Sequence, residues 1–110
     1  MEVKPVAGEC SVIEDVMGIL GRAWVGAVVQ AILDGSERFN DIARAIPGVT
    51  DGMLSARLRE LCARGLVVRV VAPGPPVGVS YRLTAAGRDV APVLEAVRAF
   101  GRSHPEVLDA

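Results

Sequence analysis

Along residues 50–65, TDGMLSARLRELCARG, leucines at 54, 58 and 61 recur at the spacing of one helical face, with Thr50 placed as an N-cap and Gly65 as a C-terminal stop. This predicts an amphipathic helix. Upstream, RAWVGAVVQAIL (22–33) is apolar on nearly every side, which predicts a central helix buried by its neighbours and closed by Gly35 after Asp34. Earlier still, Ser11 with Glu14 three residues on, ahead of Val16, Met17 and Leu20, has the form of a capping box opening a short helix that Gly21 ends. Between the buried and the leucine-faced helices, Phe39, Ile42, Ala43 and Ile46 predict a short helix over about 39–45, broken by Pro47 and Gly48.

After Gly65 the apolar period shortens to two. LVVRVV and VSYRL, joined by the turn-rich APGPPVG, predict a two-stranded hairpin with Leu66, Val68 and Val70 facing the core beside Val79, Tyr81 and Leu83, and with Arg69 and Arg82 outward. Thr84 then caps a last helix, in which Val90, Val93, Leu94, Val97 and Phe100 form one stripe through a kink at Pro92. Helix, helix, turn, helix, hairpin, helix is the order of a winged helix-turn-helix. The fold class expected is mostly α with a small β-hairpin (α+β), with extra N- and C-terminal helices. One domain is expected over 1–110: an arm (1–10), first helices (11–35), helix-turn-helix (38–65), wing (66–83), C-terminal helix (84–103) and tail (104–110).

Composition narrows the function. Apolar residues make up 51% of the chain and charged residues 23%, without low-complexity tracts, so a folded domain is expected and a disordered one is not. The apolar run Ala23 to Leu33 is short of the ~20 residues of a bilayer span, and MEVKPVAGEC lacks the pattern of a secretory signal. The expected location is cytoplasmic, with no membrane partner. Cys10 and Cys62 make neither a C-x-x-C pair nor a disulfide framework, and together with His104 they lack zinc-site spacing, so no metal and no cofactor is expected. The only histidine, His104, lies in the tail, and the chain has neither a glycine-rich phosphate loop nor a nucleophile motif, which speaks against an enzyme.

The net charge of -1 hides a partition. Residues 1–35 carry Lys4 and Arg22 against five acids, a balance of -3, whereas residues 36–71 carry six arginines against Glu37, Asp41, Asp51 and Glu60, a balance of +2. Eleven of the twelve cations are arginine, the side chain suited to forked contacts with phosphate and guanine. On a wheel centred on the three leucines, Gly52, Ala56 and Arg59 lie on the far face, flanked by Ser55 and Arg57. Small residues there let a helix backbone approach base edges, Ala56 can touch a thymine methyl, and Ser55 can bond to a base edge or a phosphate. Arg64, near the helix end, is placed equally well to satisfy the dipole and the last carbonyls.

These strings, LGRAW, DGSERFNDIARAIPGVTDGMLSARLRELCARGLVVR and PGPPVGVSYRLTAAG, resemble the HxlR-type transcriptional regulators, relatives of the MarR group, over about Cys10 to Gly101. The resemblance implies a homodimer that binds a pseudo-palindromic double-stranded DNA operator, most simply as a repressor. It implies dimer contacts from the first and last helices, here Val16, Leu20, Val90, Val93, Leu94, Val97 and Phe100. The implied DNA-contacting set is Arg38, Thr50, Asp51, Gly52, Ser55, Ala56, Arg57 and Arg59, joined by Arg69 and Arg82 from the hairpin. The chain departs from the family pattern in four places. Ala23 rather than Lys or Arg precedes Trp24, Cys62 and Ser80 stand where the family commonly has Glu, the wing tip 73–78 has no cation, and Ser11 replaces the proline after Cys10. Cys10 matches the cysteine that some members use to sense oxidants, so it is the candidate redox sensor. A small-molecule or oxidant effector is the further partner considered. A winged helix can hold a protein on the same surface, so an interaction module without DNA binding stands as the alternative.

Overall fold

The computed structural model describes residues 4–110, with side chains from Cys10 onward. Seven helices and one hairpin follow in the order α1 (Lys4–Leu20), α2 (Val25–Leu33), α3 (Phe39–Ala45), α4 (Asp51–Ala63), β1 (Val67–Ala72), β2 (Gly78–Leu83), α5 (Ala85–Arg88), α6 (Ala91–Ser103) and α7 (Pro105–Asp109). The apolar run that forms α2 is the hub of the core. It buries Val25, Val28, Val29, Ala31 and Ile32 against Ile42 and Ile46, the leucines 54, 58 and 61 of α4, Val67 and Leu83 of the hairpin, and Val90. The turn at each end of this layer follows from local chemistry. Gly35, at φ +111°, donates its N–H to the Ile32 carbonyl while Ser36 donates to Ala31, a paired arrangement that satisfies the last carbonyls of α2.

The hairpin is antiparallel, with Val67 opposite Leu83 and Arg69 opposite Tyr81. It is tied to the rest of the domain by the Tyr81 N–H, which donates to the Glu37 carbonyl at 2.7 Å. No single described helix is long and apolar enough to cross a membrane.

Several elements differ from the sequence expectation, each for a physical reason. Ser11 opens no helix: α1 runs through it from Lys4, so the backbone N–H groups a capping box would serve are already inside a helix. The buried helix begins at Val25 rather than Arg22, because the turn after α1 puts Trp24 in the left-handed region at φ +75°. In β1 the alternation is out of phase by one residue. The Leu66 N–H is used to close α4 on the Leu61 carbonyl, so the strand starts at Val67, which is buried, and Val68 is left exposed opposite Arg82. The last helix is two, α5 and α6, separated at Asp89 and Val90, and Pro92 lies in the first turn of α6 where it needs no hydrogen-bond partner. Residues 105–109, expected within a tail, form α7.

Candidate nucleic-acid interface

α4 is held at both ends. The Thr50 hydroxyl accepts the Met53 N–H at 3.1 Å, and at the other end Gly65, at φ +77°, donates to the Cys62 carbonyl while Leu66 donates to Leu61. Burial of the leucine face turns Asp51, Gly52, Ser55 and Arg59 to the outside, with Met53 and Ala56 half-covered. A Cβ on Gly52 would meet no atom within 4 Å, so nothing inside the chain requires glycine there.

Arg59 makes no ion pair among the described residues. With Ser55, Leu58, Cys62, Tyr81 and Arg69 it lines a cleft of about 250 Å³ between α4 and the hairpin. Arg69 reaches this cleft because the phase of β1 puts it on the face of Tyr81 and Leu83, rather than on the face shared by Arg82 as the alternation had suggested. Burial pushes the Cys62 thiol up, partly offset by the positive charge of Arg69. That thiol therefore stays protonated near neutrality.

On the other side of the hairpin, Arg38 and Arg82 share a second cleft with Glu37 and Asp41. Arg82 lies 4.0 Å from Glu37, and the Arg38 guanidinium comes within 3.4 Å of where a side chain on Gly78 would begin. The wing tip, 73–77, is exposed and carries no cation.

Arg57 does not belong to this surface. It is only 7% exposed, its Nε donates to the Ala23 carbonyl at 2.9 Å, and its Nη1 pairs with Glu60 at 2.8 Å. Glu60 also faces Arg22 at 3.4 Å. Placed three residues after Leu54 and one before Leu58, Arg57 falls inside the buried stripe, and its guanidinium pins α4 to the α1–α2 turn. The wheel had put it on the flank; its position at i+3 from Leu54 was the signal for burial, and the matching partner Glu60, three residues on, was the signal for an internal pair.

Cys10 is exposed and lies beyond the first turn of α1, away from the N–H groups of the helix start. Of the residues expected at a dimer contact, Val16, Val93, Val97 and Phe100 are exposed and Leu20 and Leu94 are half-buried. Val90 is 6% exposed, inside the core of one chain, and is withdrawn from that set. Val12, Ile13 and Met17 of α1 and Leu108 of α7 add to the uncovered apolar surface and were missed. Among the described residues no group of three or more His, Cys, Asp or Glu side chains is arranged to hold a metal.

Residues 19–108 match the model of the HxlR-like helix-turn-helix family. The chain belongs to the HxlR-like helix-turn-helix family. This HxlR-like protein is 41% identical over 85 residues to the uncharacterized HTH-type transcriptional regulator YvaP of Bacillus subtilis, covering 77% of this chain and 79% of that one. It is 35% identical over 91 residues to the HTH-type transcriptional regulator YodB of the same organism, covering 83% of this chain and 81% of YodB. The redox regulator HypR in its reduced form superposes with a TM-score of 0.80 at 36% identity, covering 88% of this chain and 96% of HypR. This HxlR-like chain is accordingly an HTH-type transcriptional regulator and not an enzyme, built on the winged-helix fold read from its sequence.

Proposed function

We propose that this regulator binds a pseudo-palindromic operator in double-stranded DNA as a homodimer, with α4 in the major groove, and acts as a repressor in the cytoplasm. The observation that carries the proposal is the outer face of α4. Ser55 and Arg59 project from a capped, leucine-anchored helix, Arg69 stands across one cleft, and the exposed Gly52 leaves the backbone approachable. In this reading Arg59 supplies a forked contact to guanine or phosphate, and Ser55 and Ala56 discriminate base edges. Arg38, Arg69 and Arg82 contact phosphates from either side of the hairpin, Thr50 and Gly52 bring the start of α4 close to the backbone, and Asp51 can accept from a cytosine amino group. Arg57 contributes only by holding α4 in place.

The test is a fluorescence-anisotropy titration with DNA from upstream of the protein's own gene, at several salt concentrations. Arg59→Ala should weaken binding by about 1–3 kcal/mol with the fold intact. Affinity equal to wild type removes Arg59 from the interface. The protein-binding alternative draws on the exposed Val71 of β1 and Val77 of the cation-free wing tip, and salt separates the two: a DNA partner gives a log–log slope near -0.9 per neutralised phosphate.

Thiol sensing is the proposed regulation. HypR is described as a redox regulator in reduced and oxidised forms, and YodB in a diamide-treated form. In this chain the exposed Cys10 is the candidate thiol. Two copies across a dimer would lose two protons and two electrons to a diamide-type oxidant and form one disulfide. Loss of operator binding on oxidation in wild type, retained in Cys10→Ser, supports the switch; loss in both variants rejects it.

A further inference from the structure

A cleft of about 180 Å³ lies between the end of α1 and the last turns of α4, away from the face of α4 discussed above. Ile19, Val25 and Leu61 give it an apolar floor, and Arg22, Glu60 and Arg64 stand at its rim. The rim is not electrically balanced. Glu60 is already engaged by Arg57 at 2.8 Å and shared with Arg22 at 3.4 Å, so the two rim guanidiniums, Arg22 and Arg64, stand beside one carboxylate that a third has claimed. A guanidinium has five N–H donors. Among the described residues Arg22 spends them on one ion pair of 3.4 Å, and the Arg64 side chain on none. Two cations with unspent donors over a small apolar floor select a ligand with one negative charge and a compact apolar body.

We infer that this cleft is a binding site for a small organic monocarboxylate, its carboxylate held by Arg22 and Arg64 and its body resting on Ile19, Val25 and Leu61. The volume lies below the ~300–1,000 Å³ of sites for drug-sized ligands, which limits the body to about one small ring or branched chain. The site is coupled to α4. The Arg22–Glu60 pair and the Arg57–Ala23 hydrogen bond are parallel ties between the α1–α2 turn and that helix. A ligand carboxylate that draws Arg22 away from Glu60 removes one of them. This consequence for DNA rests on the operator reading above, whereas binding itself does not.

The experiment uses the whole chain without DNA, with benzoate and isovalerate as probes and benzamide as the uncharged isostere of benzoate. Heat of binding is measured alongside the emission of Trp24, the chain's single tryptophan, which is two residues from Arg22 and 36% exposed. Saturable binding of one benzoate per chain is expected, with benzamide weaker by about tenfold or more. Arg64→Gln and Arg22→Gln should each weaken benzoate by about tenfold with the melting curve of Arg64→Gln unchanged. The proposal is overturned if neither anion binds, if benzamide binds as well as benzoate, or if folded Arg64→Gln binds as wild type does. Because no DNA enters the measurement, its failure is distinguishable from failure of the operator reading.

Discussion

Arg57 and Arg59 stand two positions apart on α4 and do opposite work. Arg59 keeps its charge in solvent, while Arg57 spends its donors on the Ala23 carbonyl and on Glu60. Replacing Arg57 with alanine leaves a partly buried carbonyl unpaired, and urea denaturation should register a loss of about 1–3 kcal/mol. Gly52→Ala should do the reverse on two axes: with open space around it, an alanine in the first turn should raise stability by about 0.5–1 kcal/mol while weakening operator binding, since a methyl stands where the groove would approach. A variant that gains stability and keeps full affinity shows that α4 does not approach the bases there. The leucine face and the Thr50 cap were legible because period and cap chemistry are local. The fate of Arg57 was less so, because charge argued for the surface while spacing argued for the core, and spacing decided it through a partner 34 positions away.

Among the elements, α4, β1 and α5 meet at a close backbone approach. A Cβ on Gly87 would fall 2.0 Å from the Leu66 carbonyl oxygen, a backbone atom with nowhere to go. Gly87→Ala should therefore cost about 1–3 kcal/mol by forcing α5 off the hairpin, read as an earlier midpoint in the same denaturation. Close approaches of this kind join positions far apart in sequence, and so does the register of β1; alternation alone predicted two faces for that strand but not which residue starts it. On α6, Glu95 is drawn below the ordinary carboxylate value of 4.5 by hydrogen bonds from Arg98 and Arg102 and by the charge of both. A depressed pKa gives stability that is present above the unfolded value and is lost as the pH falls through the folded one. Glu95→Gln should flatten the acid limb of the stability–pH curve below about 4.5 and change nothing at neutral pH beyond a constant offset.

At the scale of the molecule, the core was readable from the apolar run of α2 and the leucines of α4. The outer faces of α1 and α6 were readable only as stripes, because one chain cannot say what covers them. Val97 is 60% exposed and Phe100 57%, so a substitution there should spare the fold of one chain and act on its association. Val97→Asp should sediment as a monomer with an unchanged melting curve at low concentration, since a charge at a closed apolar contact is costly unless paired. A dimer that survives the change excludes this face from the interface.

The Thr84 hydroxyl donates to the Gly65 carbonyl at 2.6 Å and accepts the Gly87 N–H at 3.0 Å, and the Thr84 N–H donates to Leu66. One side chain thus rivets the exit of α4 to the foot of the hairpin. The helix and the wing are tied to move together. In the proposed homodimer a signal that swings each reading head as one lever alters the span between two heads, and the operator becomes a ruler for the signalling state.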